Sequence, residues 1–196
     1  MNLALQFELQ PILDGGTIIL TPLQGRDFEP LYAVASDPLI WEQHPEPTRY
    51  RREIFEAFFA GAMASGGALL VRHKTTGEVI GTSRYYEWNP AGKEVAIGYT
   101  FLTREHWGGV TNLEMKSLML NHAFRWASVV WFHIGKNNWR SRKAMEKIGG
   151  VLDRETTKEL NGVVHEYAFY RIDAQPNHAR WAVANTLPAR DARGRA

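Results

Sequence analysis

Between Ala68 and Leu102 three strand-forming runs follow one another with only turn signals between them. Ala68–His73 and Glu78–Tyr86 flank Thr75-Thr76-Gly77, a hairpin signal, and Asn89-Pro90-Ala91-Gly92 separates the second run from Lys93–Leu102. Before them, Thr17–Leu20 is a short β-branched strand after the turn Asp14-Gly15-Gly16. Asp27 opens a helix through Phe28, Leu31, Tyr32 and Val34–Ala35 that ends ahead of Pro38. A second helix covers Arg52–Met63, with Ile54, Phe55, Phe58 and Phe59 on its apolar side. After the three runs come a helix from Asn112 to about Ala127, a buried strand at Val129–Ile134, and a helix over Asn138–Ile148 closed by Gly149-Gly150. Strands at Val151–Glu155 and Val163–Ile172 complete the order β-α-α-β-β-β-α-β-α-β-β. That order predicts a mixed α/β sheet with helices interspersed, and excludes repeated βαβ units and barrels.

At 196 residues the chain buries roughly 70% of its unfolded surface, enough for a real core, and one domain over residues 1–175 is expected. It contains no cysteine, which excludes disulfides, cysteine-ligated zinc and a cysteine nucleophile, and points to a reducing, cytoplasmic setting. The 23 basic and 21 acidic residues are unevenly placed. Arg180, Arg190, Arg193 and Arg195 face one acid, Asp191, in residues 176–196, which leaves the rest of the chain at −1. The basic balance thus belongs to an expected flexible tail, and no nucleic-acid partner is implied. Met1–Gln10 lacks a basic n-region and carries Glu8, so it does not read as a secretory signal. No apolar run approaches the ~20 residues of a membrane span, so no membrane partner is expected.

The segment Lys93–Gly149 carries the chemistry. A strand runs into Thr103-Arg-Glu-His-Trp107-Gly108-Gly109-Val110-Thr111-Asn112, which opens a helix. Glycines there let backbone N–H groups approach an anion, and the helix dipole adds about 0.3–1 kcal/mol per negative charge. The same glycines also read as a plain turn. A Walker loop is excluded because Lys116-Ser117 follows Met115, and a dinucleotide loop is excluded because neither its βαβ context nor its three spaced glycines are present. Within the helix, Glu114, Ser117, Asn121 and Arg125 fall on one polar stripe, and Leu113, Met115, Leu118, Met119, Leu120, Ala123, Phe124 and Trp126 cover the remainder as core.

Trp107-Gly108-Gly109-x-x-Asn112-x-Glu114-x-Lys116, followed by Leu118-Met-Leu-Asn-His-Ala-Phe124, resembles the acyl-CoA loop and helix of the GNAT N-acetyltransferases. The resemblance is nearest to the branch that acetylates ribosomal-protein N-termini. Asn138-x-x-Ser141-x-x-Ala144-Met-Glu-Lys-Ile-Gly149 is similar to a helix of that branch, and Leu20-Thr-Pro-Leu, Asp27-Phe28 and Ser36-Asp37-Pro38 are similar to its opening. The likeness covers about Thr17–Ile172. It implies a mixed, mostly antiparallel sheet that is flanked by about four helices and splayed between its fourth and fifth strands, with acetyl-CoA as co-substrate. The pantetheine arm would bond to backbone groups of Tyr99, Thr100, Phe101 and Leu102. The diphosphate would rest on N–H groups of Trp107, Gly108, Gly109, Val110, Thr111 and Asn112. Asn138 and Ser141 would face the pantetheine and thioester from the other side. Asn138 is also a natural N-cap, worth about 1 kcal/mol, and the two roles are compatible. Val110 stands where the family loop usually has another glycine, which predicts altered diphosphate contacts.

Without cysteine, the acceptor amine attacks the thioester directly. An α-amino group, with a pKa of about 7.7–8.0, is partly neutral near pH 7.5, whereas neutralising a lysine there costs roughly 4 kcal/mol. An N-terminal amine therefore demands less of a general base, and the expected acceptor is a protein N-terminus or a small amine. Many relatives carry a glutamate where this chain has Ala96. Glu94 lies on the same strand face and is the candidate base, with a solvated strand-end carboxylate as the other reading. Ser141 is the candidate proton donor to the thiolate. His44, in a mobile-looking Trp41–Pro47 loop, is the candidate substrate contact, and His133 reads as a satisfied core histidine. His165-Glu166 lacks a second histidine at ligand spacing, so no metal is expected. Ala96 keeps open a second class, an acyl-CoA-binding module without catalysis. Dimerisation is common among relatives, so the resemblance admits a homodimer.

Overall fold

Eight strands hydrogen-bond into one open sheet in the computed structural model, which describes residues 7–160 and 162–174. They are β1 (Leu13–Asp14), β2 (Ile18–Pro22), β3 (Ala68–His73), β4 (Val79–Asn89), β5 (Glu94–Leu102), β6 (Val129–Gly135), β7 (Val151–Leu160) and β8 (Val163–Asp173). The helices are α1 (Phe28–Ala35), α2 (Arg52–Ala64), α3 (Val110–Ala123) and α4 (Trp139–Lys147). The spatial order is β1-β2-β3-β4-β5-β6-β8-β7, and only β5 and β6 run parallel. This is the mixed, mostly antiparallel α/β sheet expected from the sequence. The two-residue β1, paired to β2, was not anticipated. The basic tail, residues 176–196, lies outside the described residues.

Period-two alternation divides the sheet into two faces, and each has its own core. On one face Leu20, Tyr85, Ile97, Val130 and Tyr170 pack under Met115, Met119 and Leu120 of α3 and Met145 of α4. On the other, Leu70 and Phe101 meet Leu31 of α1 and Phe55 and Phe59 of α2, with Trp41 beside them. Helices α1 and α2 cover one half of this second face. Gly67 marks how tightly the strands meet: a Cβ there would lie 2.1 Å from the Tyr85 carbonyl oxygen.

Strands β5 and β6 stay together only at Glu94↔Val129, Val95↔Val130 and Ala96↔Trp131. Beyond those pairs they part, which is the splay implied by the resemblance. The cause lies on the other edge of β5. Thr82 pairs with Phe101 but Arg84 with Gly98, so Ser83 alone stands opposite Tyr99 and Thr100. Tyr99 takes a positive φ of 51° at this bulge. A bulge sharpens local twist and bends its strand, here away from β6.

Lys116 of α3 occupies the space beneath the parting strands. Its Nζ donates to Thr100 Oγ1 of β5 at 2.9 Å and lies 5.5 Å from the centroid of the Phe132 ring of β6. Thr100 Oγ1 in turn shares a 2.7 Å hydrogen bond with Ser83 Oγ, which ties the bulge together. Burial alone brings the Lys116 ammonium down to about 7.

Several expectations are corrected here. Helix α3 begins at Val110 rather than Asn112 and ends at Ala123 rather than Ala127. The stripe read as polar is partly interior: Glu114 and Ser117 are buried while Leu113 is exposed. The Glu114 carboxylate accepts from Thr17 N at 2.9 Å and from the Thr17 hydroxyl, so it pins β2 to α3. Asp27 precedes α1 without a capping bond from its side chain. Its carboxylate is buried on Gln24 N and Arg72 Nη2, each at 2.9 Å. Strand β7 continues to Leu160, beyond the expected Glu155.

Two outcomes follow from these contacts. Gly67→Ala should lose about 1–3 kcal/mol by overpacking against backbone, whereas Gly25→Ala, with no atom within 4 Å of its Cβ, should be near neutral; urea unfolding distinguishes them. A lysine at about 7 in the folded state and about 10.4 unfolded makes the unfolded chain bind more protons between those values, so stability rises with pH there. Urea midpoints measured at pH 7 and 9 should therefore climb for the wild type and stay level for Lys116→Met.

Candidate active site

The connection from β5 to α3 is built to present backbone donors. Trp107 Nε1 donates to Leu102 O at 3.0 Å and fixes the loop on the strand end. Gly108 has φ 65°, a left-handed conformation, and no atom lies within 4 Å of its missing Cβ. Gly109 is the N-cap of α3 and brings no side chain to the helix end. The first N–H groups of a helix have no intrahelical acceptor, and no capping side chain meets those of Val110, Thr111 and Asn112. Val110, where a glycine was expected, is the first helical residue and 61% exposed. Its φ is not positive, so a side chain there meets no left-handed strain, and its N–H remains presented.

Helix α4 starts at the facing side of the gap. Asn138 N donates to Gly135 O at 2.8 Å, and Asn138 Oδ1 accepts from Ser141 N at 3.1 Å, so Asn138 is the N-cap. The half-buried Ser141 hydroxyl has no hydrogen-bond partner among the described residues. Arg140 links the two sides, its guanidinium lying 3.8 Å from the centroid of the Trp107 ring.

The loop expected to be mobile is fastened across this end. Glu42 pairs with Arg140 Nη2 at 2.9 Å, Gln43 Oε1 accepts from Arg140 N at 3.1 Å, and Pro45 rests where a Cβ on Gly135 would be 2.7 Å from its Cγ. His44 is held within the loop, with Nδ1 accepting from Glu46 N at 2.9 Å and Nε2 lying 3.2 Å from Arg49 Nη1. Burial, then the Arg49 charge, depresses the His44 imidazole to about 3, so it stays neutral at physiological pH.

On the sheet face away from α3, beside α1 and α2, opens a pocket of about 300 Å³ lined by Glu94, Ala96, Trp131, His133, Lys158 and Phe169 among others. Glu94 and Ala96 share this wall, as the strand period requires. Tyr86 reaches the pocket from β4 by crossing Gly98, where a Cβ would lie 3.0 Å from the Tyr86 ring. Its hydroxyl lies 3.1 Å from His133 Nδ1, which Lys158 Nζ also approaches at 3.0 Å. Glu87 neutralises Lys158 at 2.9 Å. Burial, followed by the Lys158 charge, lowers His133 to about 4, and burial raises the Tyr86 phenol well above its ordinary value. His133 is thus satisfied, as the sequence suggested, but it lines a polar pocket rather than apolar core. Tyr86 and Lys158 were not anticipated. Gly98, a glycine inside a strand, was the available signal of a close crossing.

Of the residues singled out from the sequence, Tyr99–Leu102, Trp107–Asn112, Asn138 and Ser141 surround the open end of the β5–β6 gap. Glu94 stands at its closed end, opposite Val129. Such a gap offers unpaired strand edges to an extended ligand, with a helix N-terminus ready for an anion.

Residues 17–151 match the acetyltransferase (GNAT) domain family. No curated protein sequence matches the chain significantly. Among solved structures, a GCN5-related N-acetyltransferase from Brucella melitensis superposes with a TM-score of 0.72 at 20% identity, covering 90% of this chain and 82% of that one. Mycobacterium smegmatis RimJ, in complex with CoA-disulfide, gives 0.68 at 17% identity, with 89% and 92% covered. RimL, described as a ribosomal L7/L12 alpha-N-protein acetyltransferase and solved with coenzyme A, gives 0.68 at 16%, with 83% and 98% covered. The splayed sheet, the glycine loop at the head of α3 and the domain match together make this chain a member of the GNAT acetyltransferase family.

Proposed function

We propose that this protein is an acetyl-CoA-dependent N-acetyltransferase that transfers the acetyl group directly to a primary amine, on a protein N-terminus or a small molecule. The observation that carries the reading is the unpaired edge of β5 past Ala96, bounded by an uncapped helix N-terminus. Backbone groups of Tyr99, Thr100, Phe101 and Leu102 bind the pantetheine arm, and N–H groups from Trp107 to Asn112 hold the diphosphate. Asn138 and Ser141 border the thioester from α4. The amine approaches from the pocket face, near His44 and its loop. Glu94 takes the amine proton through a water, because Ala96 leaves β5 with no carboxylate nearer the opening, and Ser141 supplies a proton to the leaving sulfur. The absence of cysteine from this chain supports direct transfer without an acetyl-cysteine on the protein.

Ala96 on the pocket wall also supports a second reading, an acyl-CoA-binding module without turnover. Calorimetry should show acetyl-CoA binding to the wild type and a loss of at least tenfold in Gly108→Glu/Gly109→Glu, whose added charges oppose the diphosphate. Folded wild type that fails to bind would defeat both readings. Amine-dependent release of the coenzyme A thiol separates them: the enzyme releases it, and the binding module does not. Glu94→Gln should lower kcat by about 10²-fold with little change in KM for acetyl-CoA, read in the same thiol assay.

A further inference from the structure

Two arginines are buried over the mouth of the gap, and neither forms an ion pair within 4.0 Å among the described residues. Arg49 is 5% exposed and Arg84 7%, and the Nε of each is buried without a hydrogen-bond partner among the described residues. Both guanidinium groups lie against the Phe58 ring of α2, at 4.7 Å for Arg49 and 5.7 Å for Arg84. Arg84 also lies 4.0 Å from the centroid of Tyr99, the bulge residue, and Arg49 lies 5.0 Å from that of Trp41. The groups that act on them electrostatically span the divergence: Tyr86 and Tyr99 on Arg84, and Tyr99, Tyr167, Glu46 and Arg84 itself on Arg49. Glu46 is the sole carboxylate in that set, and its Oε1 is engaged by the Thr48 N–H and hydroxyl.

The same protein shows what a structural buried arginine looks like. Arg142 is 7% exposed, yet its Nε donates to Tyr170 Oη at 3.0 Å and its Nη1 donates to Lys136 O at 3.0 Å and meets Glu155 at 3.2 Å. Burying a guanidinium without a counter-charge is costly, and cation–π contact offsets only part of that cost. Two such groups side by side also repel. A pair of this kind is complete only when an anion joins it, and the planar donor fork matches a carboxylate.

We infer that Arg49 and Arg84 form the seat for a carboxylate carried by the acceptor, so that the amine acetylated by this protein belongs to an anionic molecule. The inference rests on the acetyltransferase reading above and names the substrate class of that site. Phe58, Tyr99 and Trp41 enclose the seat, which places the acceptor's anionic end beside the bulge. Its amine then extends toward the gap.

Coenzyme A release from acetyl-CoA is measured with two matched pairs of acceptors. One pair is 4-aminobutyrate against 4-aminobutanamide; the other is the peptide amide Asp-Ala-Ala-Ala against Asn-Ala-Ala-Ala. The charged member of at least one pair should be favoured in kcat/KM by 30-fold or more, and the pair that discriminates tells a small acid from an acidic polypeptide N-terminus. The ratio should fall below 3 in Arg84→Met and in Arg49→Met through loss on the charged acceptor. Arg84→Lys, which keeps the charge but loses the fork, should recover part of it. The thermal midpoint of Arg84→Met should hold or rise, because an unpaired buried charge is removed; a purely structural arginine would lower it. Release without discrimination in either pair, or discrimination that survives both methionine variants, overturns the carboxylate seat alone. Release with no amine at all overturns it together with the acetyltransferase reading.

Discussion

The arrangement of this molecule depends on one extra residue in β5. Ser83 faces both Tyr99 and Thr100, and the resulting bulge turns β5 away from β6 after three residue pairs. Without that turn the strands would zip along their length, their backbone groups would satisfy each other, and no extended ligand could enter the sheet. The bulge is supported from below by Ser83, Thr100 and Lys116 and from above by Tyr99 packed on Arg84. A positive φ at a tyrosine is an unfavourable conformation that persists because its surroundings determine it.

Much of this was legible in the sequence because it rests on local rules. The hairpin turns, the Gly149 helix end and the Asn138 cap are set by residues a few positions apart, and the element order follows from them. The glycine loop was legible for the same reason, since Trp107-Gly108-Gly109 signals its own backbone geometry. What periodicity concealed was tertiary. Glu114 reads as a surface residue until Thr17, ninety-seven positions away, is found donating to it. Nothing in the helical pattern marks Lys116 as buried; its Nζ reaches Thr100 beneath two separating strands, at a place fixed by the bulge. Tyr86 and His133 meet because Gly98 lets a side chain pass; a glycine inside a strand hints at a close approach, but not at which side chain makes it.

The two sides of the gap differ in electrostatic character. The α3 side offers backbone N–H groups and the weak field of a helix end, suited to a diffuse, multiply charged anion that is largely solvated. The opposite face holds two full cations among aromatic rings in a drier setting, where a single charge is felt strongly. The departures from the family pattern fall where this division tolerates them. Val110 changes a side chain in solvent while its N–H stays in place, and Ala96 removes a carboxylate from a wall that already holds Glu94 and His133.

The brevity of the β5–β6 pairing has a mechanical meaning as well. Strands β1–β5 form one antiparallel half-sheet, and β6, β8 and β7 form another; three residue pairs join their backbones, and α3, the Pro45 loop against Gly135 and side-chain contacts such as Tyr86–His133 and Lys158–Glu87 bridge them. The seam pairs only three residues of two strands that are nine and seven residues long, so few backbone hydrogen bonds hold it closed. A molecule threaded into the seam touches both halves at once. Occupancy therefore adds a fastening between the two half-sheets to the core they already share, and the stability of the whole becomes a gauge of whether the seam is filled.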